Sequence, residues 1–313
     1  MTLVNLSLSE IHDLALEAFT QNGCDSQNAG ALTRTVVAAE RDGSHSHGLF
    51  RVPGYVASLR SGKVKGAADP QISKKSPVIV NVNGDDGYAP LAIERGIPAL
   101  AKAASEFGIA VMTLTHTHHF AALWPEVEAL ANQNLAGMAC VSYMPNVAPH
   151  GSNKPLFGTN PLAFAWPRKN KSPFVFDMAT SAMAGGDIAI AARDGHSVPL
   201  GTGLDENGNE TTDPAAILKG VMLPFGGHKG SAIATMVELL AAGATGERFS
   251  FEAQDADNGD GGPPPLARAH PSDGGPSEHS VEQCVDRFVD VDARLGADLH
   301  VASNRTPVTF LQS

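Results

Sequence analysis

Val78-Ile79-Val80-Asn81-Val82, then residues 90–107, then residues 109–114, is the stretch that decides the fold class. Its first five residues are β-branched apart from Asn81, which is strand composition. Residues 83–87, Asn83-Gly84-Asp85-Asp86-Gly87, are all turn formers and predict a break. The alanine-rich residues 90–107 predict a helix, and residues 109–114 a second strand. Strand, helix, strand makes a β-α-β unit and places the chain in the α/β class.

Upstream, Leu8, Ile11, Leu14, Ala15 and Ala18 recur at helical spacing behind a capping Ser7, and Gly23 ends the run. Asp25 is placed to cap a second helix reaching about Glu40, with Ala29, Leu32, Val36 and Ala39 facing inward. This hairpin presents residues 41–51 as a polar loop. Downstream, residues 126–134 predict a helix, residues 135–141, 161–166 and 174–176 short strands, and residues 230–242 a buried or half-buried helix. Three parts follow: a helical N-terminal part with a polar loop (1–70), an α/β core (71–252), and a Gly/Pro-rich linker with an atypical tail (253–313).

With 313 residues the chain can bury a large core, and its 42% hydrophobic content is that of a globular protein. The formal charge of −11, without a Lys/Arg cluster, argues against nucleic acid and anionic membrane as partners. No apolar run approaches the ~20 residues needed to span a bilayer. Met1-Thr2-Leu3-Val4-Asn5 has no basic, apolar leader, so the cytoplasm is the expected compartment. Cys24, Cys140 and Cys284 are widely spaced and read as inert thiols.

Five histidines fall in two sets, His45 and His47, then His116, His118 and His119. Neither set has metal-peptidase spacing, and no metal site is expected. Ser46 beside His47, with Arg51 four residues on, offers a proton donor, an orienting hydroxyl and a carboxylate clamp together; the alternative is a solvated or hydrogen-bonded loop histidine. No G-x-G-x-x-G or P-loop is present. Pro224-Phe225-Gly226-Gly227-His228-Lys229-Gly230-Ser231 instead places a glycine turn, a cation and helix N-terminal N–H groups together, an arrangement suited to an anion; its alternative is a plain tight turn. Asp187, after Gly185 and Gly186, reads alone as a turn residue. Thr159, in the turn Gly158-Thr159-Asn160-Pro161, has a hydroxyl that can meet a carboxylate.

Several of these segments resemble one family. They are Ala39-Glu40-Arg41-Asp42-Gly43-Ser44-His45-Ser46-His47-Gly48, His118-His119-Phe120-Ala121-Ala122, Pro155-Leu156-Phe157-Gly158-Thr159-Asn160-Pro161, Phe176-Asp177-Met178-Ala179-Thr180-Ser181 and residues 223–231. They look like the malate/L-lactate dehydrogenase-like oxidoreductases, which use NAD(P)H without a Rossmann fold. His119-Phe120-Ala121-Ala122-Leu123-Trp124-Pro125 and Gly185-Gly186-Asp187 are most similar to its Δ1-piperideine-2-carboxylate/Δ1-pyrroline-2-carboxylate reductases. The resemblance implies helical N-terminal elements on a mixed-sheet α/β cofactor domain, and a homodimer. It implies His47 as proton donor, Ser46 and Asp187 as its polar partners, and Arg51 and Thr159 as holders of the substrate carboxylate. His119, Phe120, Ala121, Ala122, Leu123, Asp177, Met178, Ala179, His228 and Lys229 match cofactor contacts, for NADPH with NADH as the alternative.

The implied reaction is reduction of a cyclic 2-ketimine carboxylate. The alternatives are a 2-hydroxy-acid dehydrogenase of malate or lactate type, in which the same histidine protonates a carbonyl oxygen, and a catalytically impaired paralogue. Asp187 tips the reading to the imine, because many hydroxy-acid members carry a lysine there. The resemblance stops near Gly262, and the weakly patterned residues 263–313 read as a shifted reading frame.

Overall fold

The computed structural model describes residues 4–119 and 121–253. Phe120 and residues 254–313, with the expected linker and atypical tail, lie outside the described residues.

Helix α1 (Leu8–Gln21) opens with a capping box: the Ser7 hydroxyl accepts the Glu10 N–H at 3.2 Å, and the Glu10 carboxylate accepts the Ser7 N–H at 2.8 Å. Such a cap stabilises a helix by about 1 kcal/mol. The buried row is Ile11, Ala15 and Phe19, while Leu8 and Leu14, part of the same helically spaced set, stay exposed. Helix α2 (Ser26–Arg41) buries Ala29, Leu32, Val36 and Ala39 as expected, and Asp25 caps it by accepting the Asn28 N–H at 2.8 Å. The following polar segment is wound into two 3-10 turns, His45–His47 and Leu49–Arg51, which run into α3 (Val52–Ser61).

Strand β1 (Gln71–Ser76) pairs antiparallel with β2 (Ile79–Tyr88). Helix α4 (Ala89–Phe107) crosses over to β3 (Val111–His118), which lies parallel to β2, so the β-α-β unit stands. The expected turn at 83–87 is instead a bulge inside β2. Asp85 and Asp86 take φ of 53° and 55°, and the register slips between Asn83 and Gly87. Pairing with β3 carries the strand through its turn formers as far as Tyr88, opposite His118. Tyr88 then enters the hairpin core. Its ring stands edge-on to Tyr55 at 5.0 Å, Tyr55 is edge-on to Phe19 at 5.7 Å, and the Tyr88 hydroxyl donates to the Tyr55 carbonyl at 2.7 Å. The N-terminal helices are thereby locked to the strand pair that ends at the histidine segment.

Helix α5 (Trp124–Ala131) covers one face of an antiparallel sheet made of β4 (Gly137–Cys140), β5 (Leu162–Arg168) and β6 (Lys171–Met178), with Leu123, Val127 and Ala131 packed on Ala163 and Ala165. Next come α6 (Gly185–Asp194), β7 (Gly203–Leu204), β8 (Glu210–Thr211), α7 (Pro214–Lys219), β9 (Val221–Met222) and α8 (His228–Glu238). The three short strands form a small antiparallel sheet in the order β8-β7-β9. Ile188, Ile217, Met222 and Ala234 join Val147, Leu156, Phe157 and Phe249 in the largest apolar cluster. Apart from Ala234, each of these buried side chains contributes roughly 1.5–3 kcal/mol. Helix α8 starts two residues before the expected Gly230 and passes into a π turn at Leu239–Gly243. Among the described residues no helix is long and apolar enough to cross a membrane.

Candidate active site

The 3-10 turn at His45–His47 is held from beneath by Glu40, a half-buried residue of α2. One oxygen of its carboxylate accepts the Leu49 N–H at 2.7 Å, and the other bonds the His45 ring at 2.8 Å. His47 is then aimed by hydroxyls: its Nδ1 lies 3.1 Å from Ser46 Oγ and 3.3 Å from Ser44 Oγ. Burial and the nearby Arg51 charge push its pKa down to about 4, against the opposing pull of Asp187. The imidazole is therefore neutral at neutral pH.

Arg51 donates through Nε to the Ser46 carbonyl at 2.9 Å and lies over the Phe50 ring at 5.9 Å. Among the described residues no carboxylate pairs with it, which leaves the outer guanidinium nitrogens for a ligand. Asp187 stands exposed in the first turn of α6 rather than in a turn of its own, a position the helix dipole favours for an anion. Gly186 makes its approach possible. A Cβ there would lie 2.9 Å from Ser46 Cβ and 3.0 Å from Arg51 Nη2, so only glycine lets α6 abut the histidine turn. Asp187 and Ser46 line a cavity of about 440 Å³ with Asp42, Gly43, Ser44, His45 and Ile190. Thr159 comes to the other flank: its methyl lies 4.0 Å from a Cβ built on Gly185, and its carbonyl accepts the Thr180 N–H at 2.8 Å.

His119 follows β3, with a side chain only 9% exposed. Its Nε2 is 2.6 Å from Glu126 in α5. Burial works against its charged form, but Glu126 and Asp177 outweigh burial and raise its pKa. Asp177, from β6, accepts the N–H groups of Leu123 at 2.7 Å and Trp124 at 3.1 Å. It thus caps α5, and burial raises its own pKa in spite of those two bonds. Ala121, Ala122 and Leu123 are buried between these anchors, Ala179 is half-buried and Met178 exposed.

Gly226 and Gly227 take φ of 55° and 64° at the start of α8, as a glycine turn requires. The expectation of open N–H groups is corrected for three of them, while among the described residues nothing engages the His228 N–H. Those of Lys229, Gly230 and Ser231 are engaged by the carbonyls of Gly226, Phe225 and Gly227, because the turn is wound tightly enough to bond itself. What can hold a phosphate is the helix dipole with the exposed side chains of His228 and Lys229, and no ion pair among the described residues engages Lys229. That donor set fits an anionic dinucleotide. Among the described residues no group of three or more His, Cys, Asp or Glu side chains converges as a metal site would.

Three contributors escaped the sequence reading. Glu126 pairs with His119, Glu40 supports the His47 turn, and Asp42 accepts the Trp124 indole N–H at 2.9 Å, tying the two histidine segments together. Glu40 and Asp42 stand in the quoted motif, but nothing in its spacing reveals their partners.

Residues 6–270 match the family model described as malate/L-lactate dehydrogenase. The chain is 50% identical over 252 residues to the Δ1-pyrroline-2-carboxylate/Δ1-piperideine-2-carboxylate reductase of Pseudomonas putida, covering 80% of this chain and 74% of that protein. It is 46% identical over 261 residues to the Δ1-pyrroline-2-carboxylate reductase of Ancylobacter novellus, covering 83% of this chain and 76% of that one. Among solved structures, Δ1-piperideine-2-carboxylate reductase from Pseudomonas syringae pv. tomato superposes with a TM-score of 0.79 at 46% identity, over 82% of this chain and 78% of that chain. A histidine turn abutted by a glycine-opened helix, on the fold of these relatives, places the chain in the malate/L-lactate dehydrogenase family of nicotinamide-dependent oxidoreductases.

Proposed function

We propose that this protein is an imine reductase that acts on cyclic 2-ketimine carboxylates, converting Δ1-piperideine-2-carboxylate to L-pipecolate and Δ1-pyrroline-2-carboxylate to L-proline. The observation that carries the reading is the convergence of His47, Arg51 and Asp187 across Gly186, joined to about 50% identity with a reductase of that name. Such a substrate needs a fixed carboxylate, a hydride at C2 and a proton at nitrogen. When bound at the His119, Asp177 and Lys229 segments, the nicotinamide cofactor supplies the hydride. Arg51 and Thr159 hold the carboxylate. His47 delivers the proton to the ring nitrogen, oriented by Ser46 and biased toward its charged form by Asp187.

The depressed pKa of His47 fits this sequence of events. Burial is its larger cause and the Arg51 charge the second. A carboxylate seated on Arg51 cancels the second, so substrate binding raises the proton affinity of the residue that must use the proton.

The reductant is NADPH and the working form a homodimer, both supported by resemblance to the reductase subgroup, and the cytoplasm is the proposed compartment. Residues 1–70 carry the proton-donor turn, residues 71–252 the cofactor and substrate core, and residues 253–313 the atypical end. Absorbance at 340 nm, followed for a cyclic ketimine and a 2-keto acid in parallel with NADPH and with NADH, tests the reading. Equal or better turnover of pyruvate or oxaloacetate overturns the substrate class, and a preference for NADH overturns the cofactor. Light scattering on the eluted protein tests the dimer.

A further inference from the structure

Glu238, the last residue of α8, is fully buried, and neither the cofactor nor the substrate roles above use it. Its carboxylate is surrounded by donors. The Asn160 amide donates to it at 2.7 Å, the Ser250 N–H at 3.0 Å, the Ser250 hydroxyl by a short bond, and the Gly158 N–H completes the set. Among the described residues no cation pairs with it, so neutral dipoles alone offset a buried carboxylate, whose desolvation is costly. Such an arrangement is weak evidence for stability. What it does have is position, because two of its donors come from the residues immediately before and after Thr159.

The loop it grips is unusual in itself. Asn160 takes φ of 39°, left-handed for a residue with a side chain, and a Cβ on Gly158 would lie 2.8 Å from the Asn160 amide oxygen and 2.7 Å from the Tyr143 carbonyl. A loop of this shape persists only when its surroundings over-determine it. The Thr159 carbonyl is pinned from the opposite side by the N–H and hydroxyl of Thr180, at 2.8 and 2.9 Å. Asn160 also reaches the Ala234 carbonyl at 3.3 Å, within the same helix that presents His228 and Lys229.

We propose that Glu238 is a positioning residue: by bonding Gly158 and Asn160 at once it sets the loop that aims Thr159 at the substrate carboxylate. This rests on the role given to Thr159 under Proposed function. The carboxylate touches no reacting atom and acts through the loop alone.

Two variants in the full-length chain cut the same bond from opposite ends. Glu238→Gln keeps the shape but turns an amide toward surrounding donors, and Asn160→Gly keeps the left-handed backbone but removes the amide that Glu238 accepts. Each is expected to raise KM for the cyclic imine acid ~10-fold while changing kcat and the KM for NADPH less than ~3-fold, and the double variant to cost no more than the worse single one. A merely structural role would lower the active fraction, so that apparent kcat falls with KM unchanged; that result overturns the proposal. Amide exchange of the peptide spanning residues 155–162 is expected to quicken in both variants while the α1–α2 hairpin keeps its protection. Unaltered exchange there also overturns the proposal. If the parent chain reduces no cyclic imine, the proposed function fails by that fact, and the exchange measurement alone then decides whether Glu238 holds the loop.

Discussion

Two histidines close enough to feel each other's charge sit in opposite surroundings. His47 is ringed by serine hydroxyls with Arg51 beside it, and its pKa is pushed down to about 4. His119 is as deeply placed, yet Glu126 and Asp177 raise its pKa. Burial has the same sign for both and opposes charge. The partners decide the outcome: the Arg51 charge adds to burial and lowers the pKa of one ring, while two carboxylates overcome burial and raise that of the other. A site that must take a proton up and pass it on gains from the first, and one that must hold a loop gains from the second.

The largest expected effect is on turnover. His47→Ala should lower kcat by ~10²- to 10⁴-fold, the usual worth of a positioned general acid, with a smaller change in cofactor affinity. Unchanged kcat would assign the proton to another group or to water. The contrast then predicts that Glu126→Gln acts on folding before chemistry. Removing the carboxylate leaves the buried His119 ring without its 2.6 Å partner, at a cost of up to about 3 kcal/mol in denaturant-melt stability, and the His119 pKa read by NMR should fall. A His119 titration left where it was would break the pairing.

Arg51→Ala should act mainly on substrate binding, since a charge-assisted bond to a carboxylate is worth roughly 1.5–3 kcal/mol, equivalent to about a 10- to 100-fold rise in KM. The same variant should let the His47 pKa climb, because a depressing charge is gone. If KM stays put, the carboxylate is clamped elsewhere.

The smallest effect lies in how stability varies with pH. For His47 the folded pKa, about 4, lies below the ordinary 6.5, so the unfolded chain binds the proton more tightly. Its contribution is complete above pH 6.5 and is lost as the pH falls toward 4, at up to about 1.4 kcal/mol per pH unit. His119 runs the other way, contributing below its unfolded pKa and losing that contribution as the pH rises through the raised folded value. Denaturation midpoints from pH 4 to 9 should therefore show His47→Gln flattening the acid limb and Glu126→Gln the alkaline one. Identical curves for both variants would sink the comparison.

Much of this was legible from the chain alone. The caps at Ser7 and Asp25, the buried row of α2 and the β2-α4-β3 unit follow from local pattern, because capping and periodic burial are local physics. The turn formers at 83–87 misled for a physical reason: pairing with β3 outweighs the local preference of Asp85 and Asp86 and converts a turn into a bulge. Leu8 and Leu14 share the helical spacing yet stay exposed, because spacing does not say which rows a neighbour will cover. The N–H groups of Lys229, Gly230 and Ser231 are closed by the turn's own bonds, which local composition does not reveal.

By itself the sequence determined the kinds of chemistry present: a histidine next to a serine, an arginine four residues on, a glycine pair before an aspartate, and a glycine turn before a cationic helix start. Only the tertiary structure decided what these residues meet. Asp187 reaches His47 across about 140 positions because Gly186 lacks a Cβ, and Glu126, not one of the neighbouring histidines, holds His119. Glu238 closes on Asn160 and Ser250 from 78 and 12 positions away. Side-chain identity is written residue by residue, whereas burial and the distance between charges are properties of the packed whole, and it is these that lower the pKa of His47 and raise that of His119.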